Sequence, residues 1–190
     1  MIKSIPRWPA GALLLTLALS GCTGQATPAP AEATSYRVVE DLCERLDHAW
    51  ITEFIGTPVK VRAFEAPPGD DVRRRCTAGA ATADMDATSV QVNTQTTGEL
   101  SPQPEPAKPL GGVGDQAYIR LSEPFTFISE HLGREQTSRI DSLMAAQGPA
   151  TVMVTITVHA PTVPDDAAIQ AVLTAYGKDV FALMAESPDS

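Results

Sequence analysis

The histidines and serines are the residues of this chain that most often do chemistry, and their spacing assembles no catalytic group. His48, His131 and His159 stand far apart and form no HExxH pattern or other metal-ligand spacing. Ser129 and Ser142 lack the GxSxG and SxxK surroundings of an activated serine. The histidines are more simply surface or internally hydrogen-bonded side chains. The sequence therefore predicts no catalytic residue, no metal and no cofactor.

A glycine-rich stretch at 111–115 is the second place to look for chemistry. Gly-Gly-Val-Gly-Asp lacks the Lys-Ser/Thr pair of a P-loop and the glycine spacing of a dinucleotide-binding loop. It predicts a tight turn into a strand, because glycine adopts dihedral angles that other residues avoid. The chain is therefore not expected to be an enzyme. An envelope enzyme would need a cleft that brings together Asp115, His131, His159, Arg73, Arg74 and Arg75.

Arg73, Arg74 and Arg75 form the one basic cluster of an acidic chain. The formal net charge is −9, and a surface of that sign repels phosphate backbones, so nucleic-acid binding is not expected. The three arginines predict a patch for an anionic ligand or for the acids of a protein partner. The alternative is a solvated strand beside Asp70 and Asp71.

The first 21 residues have the pattern of a bacterial export signal. Lys3 and Arg7 precede an apolar run at 10–19, about half the length that spans a hydrocarbon core of roughly 30 Å. Leu19-Ser20-Gly21-Cys22 follows and resembles the lipobox of bacterial lipoproteins at all four positions. It predicts a diacylglycerol on the Cys22 thiol, which anchors the protein to the extracytoplasmic face of the cell membrane. The alternative is an ordinary secretory signal that happens to carry a cysteine.

Lipid attachment at Cys22 leaves Cys43 and Cys76. In an exported domain two remaining cysteines most simply form a disulfide, here between the first helix and the second strand. A redox pair is the alternative, although the two cysteines lack CxxC spacing. If the chain were cytosolic, both would be free thiols.

Composition divides the chain into a leader, a tether and a folded domain. Residues 1–21 are the predicted signal peptide. Residues 22–34 lack apolar periodicity and are rich in proline and alanine, which predicts a flexible tether behind the lipid. Residues 35–186 form a single extracytoplasmic domain. Within it, the proline-rich segment 97–112 predicts a long mobile loop.

Helices are expected at both ends of the domain. Apolar residues recur at helical spacing between residues 35 and 55, and Gly56 follows as a helix-ending residue. Asp47 allows an alternative, a short turn and then a fresh helix at 48–55. Pro164-Asp165-Asp166 opens the last helix, whose apolar stripe begins at Ile169.

Alternating apolar and polar residues between the helices predict antiparallel strands with one solvated face. The clearest strand is 150–159. Residues 140–146 fit a helix or, preferably, its hairpin partner, because Gln147-Gly148-Pro149 makes a turn. Residues 125–128 fit an edge strand or an apolar cover over one end of the sheet. The other predicted strands are 58–66, 72–82, 88–96 and 116–121.

These elements predict an α+β fold, in which an antiparallel sheet of about five to six strands packs against an N-terminal and a C-terminal helix. Four sequence features accompany that order of helices and strands: the lipobox, Cys43 before a helix that ends at Gly56, Cys76 near a strand, and the run Gly112-Val113-Gly114-Asp115-Gln116-Ala117-Tyr118. Together they resemble actinobacterial surface lipoproteins of the mycobacterial and nocardial type, which share an uncharacterised domain. The resemblance covers roughly residues 36–185. It implies an α+β fold and a disulfide, and it implies no established activity.

The anchor, the tether and the absence of a catalytic pattern predict a ligand-binding or protein-interaction module of the cell envelope. Its partners would be the membrane, through the lipid, and an envelope protein or a small ligand. A structural or assembly protein of the envelope is the second hypothesis, in which a sheet edge or the 97–112 loop contacts the partner. An envelope enzyme is the third.

Overall fold

The computed structural model describes residues 34–64, 69, 72–80, 88–130 and 133–186. The predicted signal peptide, Cys22, nearly all of the tether, and His131 lie outside these residues. The expectations for the leader and for the lipid anchor therefore remain predictions.

Three helices lie within the described residues: α1 (Leu42–Arg45), α2 (Ala49–Ile55) and α3 (Asp166–Ala185). The N-terminal region is not one helix, so the alternative with a fresh start after a short turn is right. Leu46 is extended, and Asp47 Oδ1 accepts a hydrogen bond from the Ala49 N–H at 2.8 Å. Asp165 caps α3 through its side chain, which accepts from the Ala168 N–H at 2.8 Å.

The sheet has eight strands within the described residues, and all neighbours are antiparallel. The path runs β1-β2-β3-β8-β7-β5-β4, and β6 pairs with β7 beside β5. The strands are β1 (Val59–Phe64), β2 (Arg73–Ala80), β3 (Ser89–Gln95), β4 (Lys108–Pro109), β5 (Gln116–Arg120), β6 (Phe125–Ser129), β7 (Arg134–Gln147) and β8 (Ala150–Ala160).

The α+β class and the antiparallel sheet are confirmed, but the predicted strand count and helix placement are wrong. Two extra pairings explain the difference. Residues 125–129 form an edge strand, β6, on the first half of β7, which is longer than predicted. Residues 108–109 pair with β5 inside the segment predicted as a mobile loop. Both pairings depend on contacts distant in sequence, which periodicity does not report.

One face of the sheet carries the helices and the core. α3 packs on β7 and β8, and α1 packs on β1 and β2. The inward side chains of successive strands form cross-strand rows of buried apolar residues. One such row contains Cys76, Val92, Val154, Leu143 and Ile119.

The opposite face carries no helix of the described residues. His48, at the start of α2, contacts Tyr176 of α3, which places α2 beside α3 on the helix-bearing side. The face without a helix is called the open face below. It exposes about two-fifths of Ile140 and Met153, at 40% and 39%. The prediction of one solvated face is confirmed, and a cavity built from several strands lies on this face.

Candidate functional site

Strand alternation divides the three arginines between the two faces of the sheet. Arg74 pairs across β3 with Thr94, whose β8 partner is the buried, inward Val152. The Arg74 Nε–H donates to Glu40 Oε2 at 3.0 Å, and its Nη2 also contacts this carboxylate. The hydrogen bond from Arg74 lowers the pKa of Glu40. Arg73 and Arg75 lie on the open face. All three arginines nevertheless line one cavity, where Arg74 is the member that is paired with a carboxylate.

A cavity of about 630 Å³ lies on the open face, beside Arg73 and Arg75. Small-molecule sites typically have volumes of about 300–1,000 Å³, so this one has the size for a single small ligand. Its base is one cross-strand row: each member pairs with the next on the neighbouring strand, and all five line the cavity. The row is Phe64, Arg75, Asn93, Met153 and Met144.

The proline-rich segment supplies a further wall of this cavity. Glu99, Leu100 and Ser101 line it, and they belong to the 97–112 segment that the sequence predicts as a mobile loop. The Thr96 N–H donates to Val72 O at 2.9 Å, which holds the start of the segment against the beginning of β2. The segment therefore contributes both to this site and, through β4, to the sheet.

Arg75 is the cation at the base of the cavity. Its guanidinium carbon lies 4.5 Å from the centroid of the Phe64 ring, and its Nη2 donates to Gln91 Oε1 at 2.6 Å. Among the residues that the structure describes, no acid forms an ion pair with Arg75. The stacking and the hydrogen bond orient the guanidinium and leave its positive charge without a carboxylate.

Two polar side chains next to Arg75 have buried atoms without a hydrogen-bond partner among the described residues. They are Asn93 Nδ2, which belongs to the same cross-strand row, and Thr77 Oγ1, two residues further along β2. A buried polar group left unpaired costs about 1–3 kcal/mol, so such groups are uncommon in folded proteins. Asn93 itself lines the cavity, so a rotation of its side-chain amide would present this buried donor to an oxygen acceptor of a ligand or water.

The residues required for an envelope enzyme are not brought together. Asp115 accepts a hydrogen bond from the Gly148 N–H at 2.8 Å and ties the β5 start to the β7–β8 turn. His159 lies at the other end of β8, where its ring meets the edge of Phe127 at a centroid distance of 5.9 Å. Thr151, near the start of β8, lines the open-face cavity. His159 is eight positions further along the same strand, which is a distance of roughly 26 Å from Thr151. His131 lies outside the described residues.

His48 has a structural role in the described contacts. Its Nε2 lies 2.8 Å from Cys43 O, and its Nδ1 lies 3.3 Å from the Tyr176 hydroxyl. The ring therefore connects α1 to α3 across the start of α2. Among the described residues, no group of three or more His, Cys, Asp or Glu side chains could hold a metal ion.

A second group of unpaired polar atoms lies at the far end of the open face, and sequence reasoning missed it. Gln136 Nε2, Ser138 Oγ and His159 Nδ1 are buried without hydrogen-bond partners among the described residues. Ser138 pairs across the ladder with both Phe125 and His159. Alternation along β7 places Gln136 and Ser138 on one face, but only the pairing with β6 brings aromatic rings over them.

Three other cavities involve α3 and differ from the open-face site, and two of them show how. A cavity of about 260 Å³ lies between α2 and α3, lined in part by Asp47, Trp50 and Asp179. Desolvation by burial is the larger cause of a raised pKa at Asp179, and the nearby charge of Asp47 is the smaller one. A space of about 640 Å³ along α3 is lined by residues of that helix alone, so no second element encloses a ligand there.

The cysteine pair lies on the helix-bearing side. The Cα atoms of Cys43 and Cys76 are 5.3 Å apart and the sulfurs are at bonding distance, in agreement with the predicted pairing. Both residues are buried, at 2% and 1% exposure. Cys22 lies outside the described residues. The pair joins α1 to β2 one row away from Arg74 and closes no cavity.

No helix in the described part of the chain is long and apolar enough to span a bilayer. Comparisons with protein-family models, curated proteins and solved structures return no match to this chain. The function is therefore argued from the residues of the site.

Proposed function

We propose that this chain is a bacterial lipoprotein of the cell envelope that holds a small-ligand-binding domain at the extracytoplasmic face of the membrane. Support for the anchor comes from the leader and the match of Leu19-Ser20-Gly21-Cys22 to a lipobox. Support for the location comes from the resemblance to actinobacterial surface lipoproteins. The observation that carries ligand binding is the 630 Å³ open-face cavity, whose lining includes Arg75 and an Asn93 amide that has no hydrogen-bond partner among the described residues.

A binding role fits this site better than catalysis. The cavity contains cations, amides and thioethers, and none of its described lining residues is a histidine, cysteine or aspartate. Among the described lining residues Glu99 is the one carboxylate, and general acid–base chemistry requires a titratable group aligned with a reacting atom. The arrangement can hold and orient a ligand.

An assembly role is the second candidate, and the β6 edge favours it. Phe125 is 56% exposed and Ile128 is 74% exposed on this edge strand. Exposed apolar residues on a strand edge are a common place for a partner to add. Replacing both with serine would weaken envelope complexes recovered after crosslinking if the role is assembly, and would leave ligand binding at the distant cavity unchanged.

A cavity-filling substitution tests ligand binding. Lipidated full-length protein would be purified from its native membranes with mild detergent and examined by native mass spectrometry. Met153→Trp places an indole in the cavity, whereas Thr157→Trp makes a comparable change on the same strand and face outside it. A bound species should be present in the wild type and in Thr157→Trp, and reduced about tenfold or more in Met153→Trp. Equal retention in both variants, or no bound species in any of them, would contradict the proposal.

The anchor is tested separately by Cys22→Ala. Without the thiol no diacylglycerol can attach, so the chain should leave the membrane fraction or accumulate as an unprocessed precursor. Membrane fractionation measures release, and the mass of the chain measures processing. A Cys22→Ala chain that is both processed and anchored as the wild type is would overturn the lipoprotein assignment and leave the ligand-binding result intact.

A further inference from the structure

We propose that the ligand of the open-face cavity is an amphipathic anion, in which one acidic headgroup, a carboxylate or a phosphate, is joined to an apolar chain. This inference rests on the proposed ligand-binding function. It follows from a cationic pole and an apolar pole that lie side by side in one cavity.

Arg75 provides the cationic pole. Its planar guanidinium can donate two parallel hydrogen bonds to a carboxylate or a phosphate, and it is held over Phe64 by stacking. Since no described acid pairs with it, an incoming anion does not have to displace a resident carboxylate. Arg73 lines the same cavity two residues away on the same strand.

Asn93 supplies a second donor beside this cation. It pairs directly with Arg75 across the β2–β3 ladder, and side chains at such positions have Cβ atoms about 4.5–5.5 Å apart. Its buried Nδ2 lacks a partner among the described residues. An acidic headgroup has several acceptor oxygens, so it can accept from the guanidinium and from the amide together. A cationic or neutral headgroup would leave Arg75 unpaired.

Met144 and Met153 provide the apolar pole. They face each other across β7 and β8, and Met153 is 39% exposed although it lies on a central strand. Leu100 lines the same cavity. Methionine side chains are flexible and polarisable, so they adapt to alkyl chains of differing shape. One row further along the open face, β3 and β8 carry Gln91 and Thr155 instead. The two methionines therefore place apolar surface directly beside the arginines, within the same cavity.

The charges around the cavity favour a ligand with one acidic group over a highly charged one. Arg74 is paired with Glu40, and Glu99 also lines the cavity. The net charge of the chain is −9, so a polyanion would be repelled at longer range. The 630 Å³ volume admits a single chain and excludes a macromolecule.

Methyl resonances of methionine offer a direct test in the lipidated full-length protein. The protein would be placed in nanodiscs of zwitterionic lipid, labelled at the methionine methyl groups and titrated with decanoate, decyl phosphate, decan-1-ol and acetate. Met144 and Met153 report the cavity, and Met184, which is buried in α3, is the internal reference. Decanoate or decyl phosphate should shift the two cavity resonances, and acetate should not. A response to only one of these two amphiphiles identifies the headgroup as carboxylate or phosphate.

Arg75→Gln is the decisive variant, and Arg120→Gln is its matched control on the open face of β5, outside the cavity. Removal of the charge should weaken binding of the anionic amphiphile about tenfold or more, because a hydrogen bond to a charged group is worth about 1.5–3 kcal/mol. Binding of decan-1-ol should change less than about twofold. All variants are measured in the same nanodiscs. Partitioning of the probe into lipid then lowers its free concentration equally in each titration and does not affect the comparison. Thermal unfolding of each variant shows that it is folded.

The outcomes separate this inference from the proposed function. If decan-1-ol binds as tightly as decanoate, or Arg75→Gln behaves as Arg120→Gln does, the acidic headgroup is wrong. Loss of the natively bound species in Met153→Trp would then still support a ligand in the cavity. If neither anionic amphiphile binds the wild type, the ligand class is wrong. If the native protein also carries no species that Met153→Trp displaces, the binding function is wrong as well.

Discussion

Arg139 and Asp141 place opposite charges inside the core on the helix-bearing face, where they are 2% and 0% exposed. The guanidinium is bidentate: Nε donates to Asp141 Oδ2 at 2.7 Å and Nη2 to Asp141 Oδ1 at 3.0 Å. Arg139 also donates to Pro164 O at 3.0 Å and to Asp166 Oδ1 at 2.9 Å. The hydrogen bond that Arg139 donates to Asp141 raises the pKa of Arg139 despite burial, so the charge persists. This network connects β7 to the start of α3.

Asp141→Ala should lower the free energy of unfolding by about 3–5 kcal/mol, because it leaves the buried Arg139 charge with only the exposed Asp166 for compensation. It also removes the acceptor for the Ser122 N–H. Equilibrium unfolding in urea measures the change. The double replacement Arg139→Met with Asp141→Leu should recover most of the loss, since apolar side chains of similar volume need no counterion. A double variant as unstable as Asp141→Ala would contradict this account.

Asp179 should make stability depend on pH. Burial and then Asp47 raise its pKa above the ordinary value of 3.8, so the folded state binds this proton more tightly than the unfolded state does. The free energy of unfolding therefore falls as pH rises from about 3.8 through the raised folded-state pKa. Asp179→Asn should be more stable than the wild type at pH 7, by no more than about 1 kcal/mol because the side chain is largely exposed.

The advantage of Asp179→Asn should disappear below pH 3.8, where the carboxyl is protonated in both states. Urea unfolding at a series of pH values measures this. Gln170→Ala, at an exposed position of α3 without a titratable group, is the control and should show no such pH-dependent gain. An advantage for Asp179→Asn that is constant at all pH values would exclude a titrating origin.

At the scale of elements, the contact between α3 and β7 is set by the absence of a side chain at Gly177. A Cβ there would lie 2.6 Å from Leu143 Cδ2 and 2.9 Å from Val113 Cγ1. Leu143 and Val113 are themselves 0% and 1% exposed, so neither side chain has free space to move into. Glycine in a helix costs about 1 kcal/mol relative to alanine, and here that cost allows the close approach.

Gly177→Ala should therefore destabilise the fold by about 1–3 kcal/mol, because overpacking outweighs the gain in helix propensity. Chemical denaturation measures the change. Gly111→Ala is the matched control, since a Cβ at Gly111 has nothing within 4 Å, and it should be within about 0.5 kcal/mol of the wild type. A stabilised Gly177→Ala would mean that α3 can shift away from β7.

Local patterns predict some elements well and others poorly, for identifiable reasons. β8 and the start of α3 follow the prediction because alternation and an N-terminal cap are local signals. β1 forms where alternation predicts a strand, but its burial does not alternate: Val61 is 38% exposed because β1 is an edge strand. β6 and β4 are specified by partners elsewhere in the chain.

At the scale of the whole molecule, the Cys43–Cys76 pair connects the N-terminal region to the sheet. The two residues are 33 positions apart, and the link holds α1 against β2. A covalent link of this span restricts the unfolded chain more than it changes the folded one. It therefore braces the side of the domain that is joined to the predicted tether.

Replacing both cysteines with alanine should lower the free energy of unfolding by about 3.5–4 kcal/mol, on the chain-entropy account of a loop this long. Urea unfolding of the oxidised wild type and of the double variant measures it. Reduction of the wild type by a thiol reagent should produce a similar loss and have no effect on the double variant. If the reagent destabilises both proteins equally, the loss does not come from this disulfide.

The sequence by itself determines the α+β class, the one-sided sheet, and the predictions of a lipid anchor and a cysteine pair. These depend on local motifs, on alternation and on composition. Alternation also turns Arg74 to the face opposite Arg73 and Arg75. Only the tertiary structure decides that Phe64, Arg75, Asn93, Met153 and Met144 form one row, and which face of the sheet that row occupies. The physical reason is register: a shift of one residue between strands turns every side chain to the other face, and the register is set by packing across the whole sheet.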